Sequence, residues 1–258
     1  MEGPNNPRFF EEDLNSFTSP SESPNLPSPF LLFSNPNSDF PLRPSLLILA
    51  ISSPSLSIFH HLSSSKTLIG TLILPEISFS GNSIQPSLSD KSCNIYALQD
   101  HSTLLVSVQC SVASDRSHAV AKLLIGGSQI SPDKVLIFDS VQSRNFRGKL
   151  SPGDSFAYKL ETSSERNGVC TLKGLEPFPS GSMIEGLGAA ILARCQMKKM
   201  KGALCVSWPD SGGFGVSSLL KSLLLKDVLP DLNLSLDLDD EDGLWTGRDS
   251  HLDSELYT

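Results

Sequence analysis

Ser211-Gly212-Gly213-Phe214-Gly215 stands between an apolar run and an amphipathic one, as "SGGFG". A glycine-rich turn at a helix N-terminus can cradle a phosphate with bare backbone amides. The full GxGxxG spacing is absent, however, and the unit closes the apolar part of the chain instead of opening it. The spacing therefore favours a structural turn. "LLIGGSQ" (123–129) reads as a helix stop. His60 and His61 fall near the end of a short helical pattern, where the dipole favours an imidazolium. His118 falls on the polar side of another. No serine lies in a GxSxG elbow, HExxH is missing, and no carboxylates can be paired for acid–base work. The five cysteines (Cys93, Cys110, Cys170, Cys195, Cys205) include no CxxC pair, so they supply no zinc ligand set. Cys110, Cys195 and Cys205 lie in apolar runs, where a free thiol acts as a small core residue. No catalytic, cofactor-binding or metal-binding residue is assigned, and no cofactor is expected.

The C-terminal segment offers a different chemistry. The 258 residues carry 28 acids and 20 bases, a formal charge of −8. Nine of the acids, but only one base, Arg248, fall in residues 231–258, so the rest of the chain is formally neutral. A neutral body with an acidic tail is a poor partner for phosphate backbones, and nucleic-acid binding is not expected. After this stretch come Leu256, Tyr257 and Thr258. A solvated tail gains nothing from ending in a large apolar residue and a tyrosine. A docking peptide does: it presents an apolar anchor, a ring with a hydroxyl, and a carboxylate for a pocket that captures a C-terminus.

Stepping outward from these residues, the patterns predict three segments. Residues 1–44 hold nine of the 18 prolines and the run "TSPSESPNLPSPF". Such a composition cannot bury enough apolar surface to offset chain entropy, so a mostly disordered arm is expected, with its last part packed on the domain. Residues 45–230 read as α/β: a mostly parallel central sheet with helices on both faces. "SLLILAIS" (45–52) suits a strand buried on both faces, "SPSLSIFHHLS" (53–63) a helix capped by Ser53, and "KTLIGTLIL" (66–74) the next strand. That strand–helix–strand opening is the signature of a parallel sheet.

Further strands are expected at 94–99, 102–112, 134–141 and 202–208, with 168–172 a candidate partner for the strand at 156–161. Helices are expected from Ser114 to the glycine pair, with Ala119–Leu123 and Val120–Leu124 as the inward pairs, and over 182–199 and 217–229. Residues 231–258 form the acidic flexible tail. No apolar run approaches the ~20 residues that span a bilayer. The polar, acidic start lacks a secretory signal pattern, and a reducing cytosolic or nuclear compartment is expected.

The order "LLILAIS…IFHHLSS…LIGTLIL", then "LLVSVQCSVASDRSHAVAKLL", then "VLIFDSV", and the unit "GLGAAILARCQMKKMKGALCVSW" (186–208) resemble the proteasome assembly chaperone 1 family. So does the hydrophobic–tyrosine–any-residue ending. The resemblance spans roughly residues 45–229 plus the last three. It implies a non-enzymatic chaperone of core-particle assembly that pairs with proteasome assembly chaperone 2, sits on the outer face of the α-ring, promotes ring formation and blocks early docking of regulatory particles. It also implies that Leu256, Tyr257 and Thr258 enter a pocket between α-subunits. The Pro/Ser arm and the acidic run 237–242 gain no role from it. A competing expectation, from the parallel sheet and "SGGFG", is a small-ligand enzyme of the nucleoside- or nucleotide-handling type.

Overall fold

Apolar side chains on both sides of the central strands decide the architecture. In the computed structural model, which describes residues 27–34, 41–62, 66–98, 102–151 and 153–229, nine strands form one sheet. They are β1 (Phe30–Phe33), β2 (Leu46–Ala50), β3 (Lys66–Ile73), β4 (Cys93–Leu98), β5 (Thr103–Val108), β6 (Lys134–Ser140), β7 (Phe156–Glu161), β8 (Glu176–Pro177) and β9 (Lys201–Trp208). Their order is β1-β3-β4-β5-β2-β6-β9-β7-β8. The four strands β5, β2, β6 and β9 run parallel at the centre, while β1, β3, β4 and β7 pair antiparallel on either side. The architecture is thus the expected α/β sheet with a parallel centre. The expected disordered arm, up to residue 26, and the acidic tail with its last three residues lie outside the described residues.

Strand geometry sends alternate side chains to opposite faces. On β2, Leu47 and Leu49 join one buried cluster and Ile48 and Ala50 the other. Helices α2 (Ser114–Leu124) and α4 (Gly186–Met197) cover the first face through Val120, Ala121, Leu124, Leu187, Ile191 and Cys195. Helices α1 (Ser53–His60) and α5 (Phe214–Leu223) cover the second through Ile58, Phe59, Val216, Leu220 and Leu223. On α4 the residues Leu187, Ile191 and Cys195 recur at a helical period and are buried. On α2 the stripe is rotated: Ala121 is buried, while Ala119 and Leu123 are only partly so. The end of α2 is also held by its neighbour. Arg194 on α4 donates to the Ile125 carbonyl at 2.8 Å, and Lys198 to the Gly126 carbonyl at 3.1 Å, placing cations where the helix dipole favours them.

Three local expectations are corrected. The opening strand–helix–strand is not a pair of neighbours: β3 runs in the direction of β2 but is separated from it by two strands, because β4 and β5 pair between them. The segment 168–172 forms no strand. Its polar groups are taken by side chains instead: Glu165, on the short helix α3 (Ser163–Arg166), accepts from the Thr171 amide at 2.9 Å and from its hydroxyl, and the Cys170 thiol lies 2.8 Å from Glu161. The antiparallel partner of β7 is β9. Ser53 and Ser114 each begin a helix, yet the cap positions are Ser52 and Ala113, with no side-chain cap bond at either.

The sheet also takes in a strand from before residue 45. Strand β1 lies antiparallel on β3, with Leu31 buried, and Arg116 on α2 clamps the entry to it. The Arg116 guanidinium meets Glu76 at 2.8 Å and also donates to the carbonyl of Pro27.

The core sets a measurable cost. Phe138 on β6 is 1% exposed and lies edge-on to Phe59 of α1, ring centroids 5.8 Å apart. Phe138→Ala is expected to lower unfolding stability by about 3–5 kcal/mol in urea titration, since a cavity opens between sheet and helix. A loss under about 1 kcal/mol would mean that α1 does not pack as described.

Candidate functional site

The carboxyl ends of β2, β5, β6 and β9 lie at one edge of the sheet. Around β2 the connections diverge: α1, which follows it, covers one face, and α2, which follows β5, covers the other. Divergence of this kind leaves a crevice at the strand ends. Here it is a cavity of about 530 Å³ whose lining includes Ser53, Cys110, Asp139, Arg144, Glu185 and Asp210.

Asp139, near the end of β6, is its central polar group. Its Oδ1 accepts from the Ser140 amide at 2.8 Å, and its carboxylate also takes a backbone hydrogen bond from Gly188 in the first turn of α4. Residue 188 must be glycine for this approach, because a Cβ there would stand 2.3 Å from Oδ2. Part of the Asp139 surface opens on the cavity, yet protein packs closely around the carboxyl. That burial pushes it up to about 6; the nearby Asp210 charge adds to the rise, and the two amides oppose it. Asp210 in turn accepts a hydrogen bond from the Ser140 hydroxyl. At the rim, Arg144 meets Glu185 at 2.9 Å with both side chains largely exposed, a pair that contributes little to stability.

Three carboxylates and one paired guanidinium line this cavity. The field repels phosphate and favours neutral or cationic groups. The Gly188 amide in the first turn of α4 is already turned on Asp139, so it is not open to an anion either.

The other residues singled out in the sequence fall elsewhere. "SGGFG" forms the turn between β9 and α5, with Gly212 at φ 78° and Gly213 at φ 146°, and Gly212 lies against Pro54 at the start of α1. Only glycine adopts the second conformation readily, so the turn has a structural need for its residues. His118 is exposed on α2. At His60 the dipole expectation is corrected. Lys66 donates to the carbonyls of Phe59 at 2.6 Å and His60 at 2.8 Å, so a lysine holds the helix end. Burial, followed by the Lys66 and His61 charges, lowers the His60 imidazole below its usual range. Burial likewise brings Lys66 down to about 8, where it sits 5.1 Å from the centre of the Tyr96 ring.

Leu256, Tyr257 and Thr258 lie outside the described residues. Asp139 and Gly188 went unmarked in the sequence. The signal available was a single acid after the apolar run "KVLIF", which many strand ends carry. Among the described residues, no three or more His, Cys, Asp or Glu side chains are placed to hold a metal ion, and no helix is long and apolar enough to cross a membrane.

No family model and no curated protein matches the sequence. Solved structures do match the fold. Pyrococcus furiosus PbaA, an archaeal homologue of proteasome-assembly chaperone, aligns over 81% of this chain and 85% of its own, with a TM-score of 0.56 and 12% identity. Pyrococcus furiosus PbaB, an archaeal proteasome activator, aligns over 80% of this chain and 91% of its own, with a TM-score of 0.56 and 13% identity. A Thermoplasma acidophilum protein of unknown function aligns over 75% of this chain and 79% of its own, with a TM-score of 0.53 and 15% identity. At such identities the likeness is one of fold.

Asp139 has a pH signature. Its folded carboxyl titrates near 6, above the ordinary 3.8, so the folded state holds the proton more tightly. The resulting stability is full below about pH 4 and is lost as pH rises through about 6, on the order of 2 kcal/mol after allowance for the open cavity side. Asp139→Asn is expected to flatten that slope in urea titrations between pH 4 and 7. An unchanged slope in the variant would place the titrating group elsewhere.

Proposed function

We propose that this chain is a non-enzymatic chaperone of proteasome core-particle assembly. The observation that carries the reading is the fold: the match to PbaA and PbaB extends over four-fifths of the chain, and both of those proteins are described by a link to the proteasome. The resemblance of residues 45–229 to the proteasome assembly chaperone 1 family supports it from the sequence side. In this reading the chain pairs with proteasome assembly chaperone 2, and the pair binds the outer face of the α-ring, promotes ring formation and blocks premature regulatory-particle docking. Cytoplasm and nucleus are the compartments where this work would be done.

The tail supplies one contact. Leu256 fills an apolar part of a pocket between α-subunits, Tyr257 packs its ring and hydrogen-bonds, and the Thr258 carboxylate pairs with a cation. Burying the leucine contributes about 1.5–3 kcal/mol, and a charge-assisted hydrogen bond about as much. Ordering the tail subtracts from both. One tail is therefore a weak ligand, and firm holding requires the partner's tail or a body contact as well. Weakness in each contact suits a chaperone that must leave.

A second reading is favoured by one observation. The strand-end cavity of about 530 Å³ is large enough for a small molecule. Its acidic lining directs that reading to a nucleoside-like or cationic ligand over a nucleotide.

The two readings part in one set of experiments. Removing Leu256 to Thr258, or Tyr257→Ala, is expected to weaken binding of the purified chaperone pair to α-subunit intermediates about tenfold or more, with an unchanged melting temperature. Equal capture by the truncated chain would remove the tail's role, and absence of α-subunits from affinity purifications of the full chain would remove the chaperone reading itself. A thermal shift with nucleosides, suppressed by Asp139→Asn, would support the enzyme.

A further inference from the structure

Strands β4 and β5 place two thiols against each other. Cys93 begins β4 and is 1% exposed, and its register partner on β5 is Val108. Cys110 lies two residues beyond Val108, on the same face of the sheet by strand alternation. Such diagonal neighbours in a flat ladder stand apart. Here the chain bends at Cys110 just after β5 ends, and the two sulfurs close to 2.7 Å. That is nearer to the ~2.05 Å of a disulfide than two sulfurs come without a bond or a hydrogen between them.

The approach is held from both sides. The Gln109 amide donates to the Ser92 carbonyl at 2.8 Å, continuing the ladder one step past β5. The Gln109 side chain donates to the Ser87 carbonyl at 2.6 Å and accepts from the Ser92 hydroxyl at 2.9 Å. Closing a bond requires the sulfurs to approach by only about 0.7 Å more.

We propose that Cys93 and Cys110 are an oxidative modification site that closes to a disulfide on exposure to a hydroperoxide. Cys110 is the entry point, because it is only partly buried and forms part of the cavity wall, whereas Cys93 is sealed in the core. The hydrogen bond between the two sulfurs favours the thiolate at Cys110 against its burial and against the nearby Glu76 charge. Cys93 correspondingly keeps its proton more firmly, mainly through that same bond and then by burial.

The chemistry balances. The Cys110 thiolate attacks the peroxide, an S–O bond forms, the O–O bond breaks, and the departing oxygen takes a proton to leave as an alcohol or water. The Cys93 sulfur then attacks the sulfenic sulfur, an S–S bond forms, the S–O bond breaks, and hydroxide leaves as water. Two thiols and one hydroperoxide give one disulfide, one alcohol or water, and one further water. The other cysteines lack a sulfur partner. Burial pushes the Cys195 and Cys205 thiols up to about 12, and Cys170 lies between Lys159 at 2.9 Å and Glu161 at 2.8 Å. In a reducing compartment the pair remains open until an oxidant pulse arrives.

The disulfide ties the start of β4 to the segment that leads into α2, across one wall of the cavity. It would fix that wall covalently without opening the fold.

The full chain treated with hydrogen peroxide and then denatured in a thiol-blocking reagent tests this. Titratable thiols are expected to fall from five to three, with the chain two hydrogens lighter, the Cys93 and Cys110 peptides joined in the mass map, and dithiothreitol restoring all five. Cys93→Ser is expected to leave a sulfenic acid at Cys110 that a dimedone probe captures, and Cys110→Ser to abolish peroxide-dependent loss of Cys93. Cross-linking of either cysteine to any other, or stepwise loss of all five thiols at similar rates, would overturn the proposal. The wild-type map alone decides this if a variant does not fold.

Discussion

Burial on both faces of the parallel strands β2, β6 and β9 is the constraint from which the rest of this structure follows. Every residue from Leu47 to Ala50, from Val135 to Phe138 and from Ala203 to Val206 is 0 or 1% exposed. A strand buried on both faces must be covered by two layers. The amphipathic helices α2 and α4 provide one layer, and α1 and α5 the other. The antiparallel strands β3 and β7, unlike β4, which is buried throughout, extend the sheet where a second helical layer is no longer required. Their side chains accordingly include the exposed Leu68 and the partly exposed Tyr158.

The same constraint sorts the polar groups to the strand ends. At the amino end of β6, Lys134 meets the fully buried Glu165 at 3.1 Å and thereby holds the segment that replaces a strand at 168–172. At its carboxyl end, Asp139 sits against the first turn of α4. One end is neutralised by a pairing of opposite charges. The other carries a carboxyl raised by burial beside an open cavity, and that asymmetry marks the carboxyl end as the one where a ligand or a modification can act. Cys110 and Asp139 both line that cavity.

Some of this was legible beforehand. The continuous apolar runs at 46–50, 135–138 and 202–206 are legible as strands, because burial on both faces leaves no polar residue to confuse the pattern. The starts of α1 and α2 were visible through Ser53, Pro54 and Ser114. Periodicity did not show that β4 and β5 come between β2 and β3, since sheet order depends on which edges meet. Nor did it show that Lys66 would take the α1 carbonyls from His60, or that Asp139 and Gly188 touch. Cys110 packs against the core, as its apolar run implies, but the run does not show that its sulfur stands 2.7 Å from that of Cys93. A bend at Cys110 makes that approach.

The amino-acid sequence alone determined the central strands, most of the helices, the α/β class, and the acidic character of residues 231–258. These rest on local composition and on spacing of two or 3.6 residues, which any short window displays. The tertiary structure decided the strand order, the carboxyl at the start of α4 and the pairing of Cys93 with Cys110. Each depends on groups 17 or more residues apart, and only strand register and helix packing bring such groups within bonding distance.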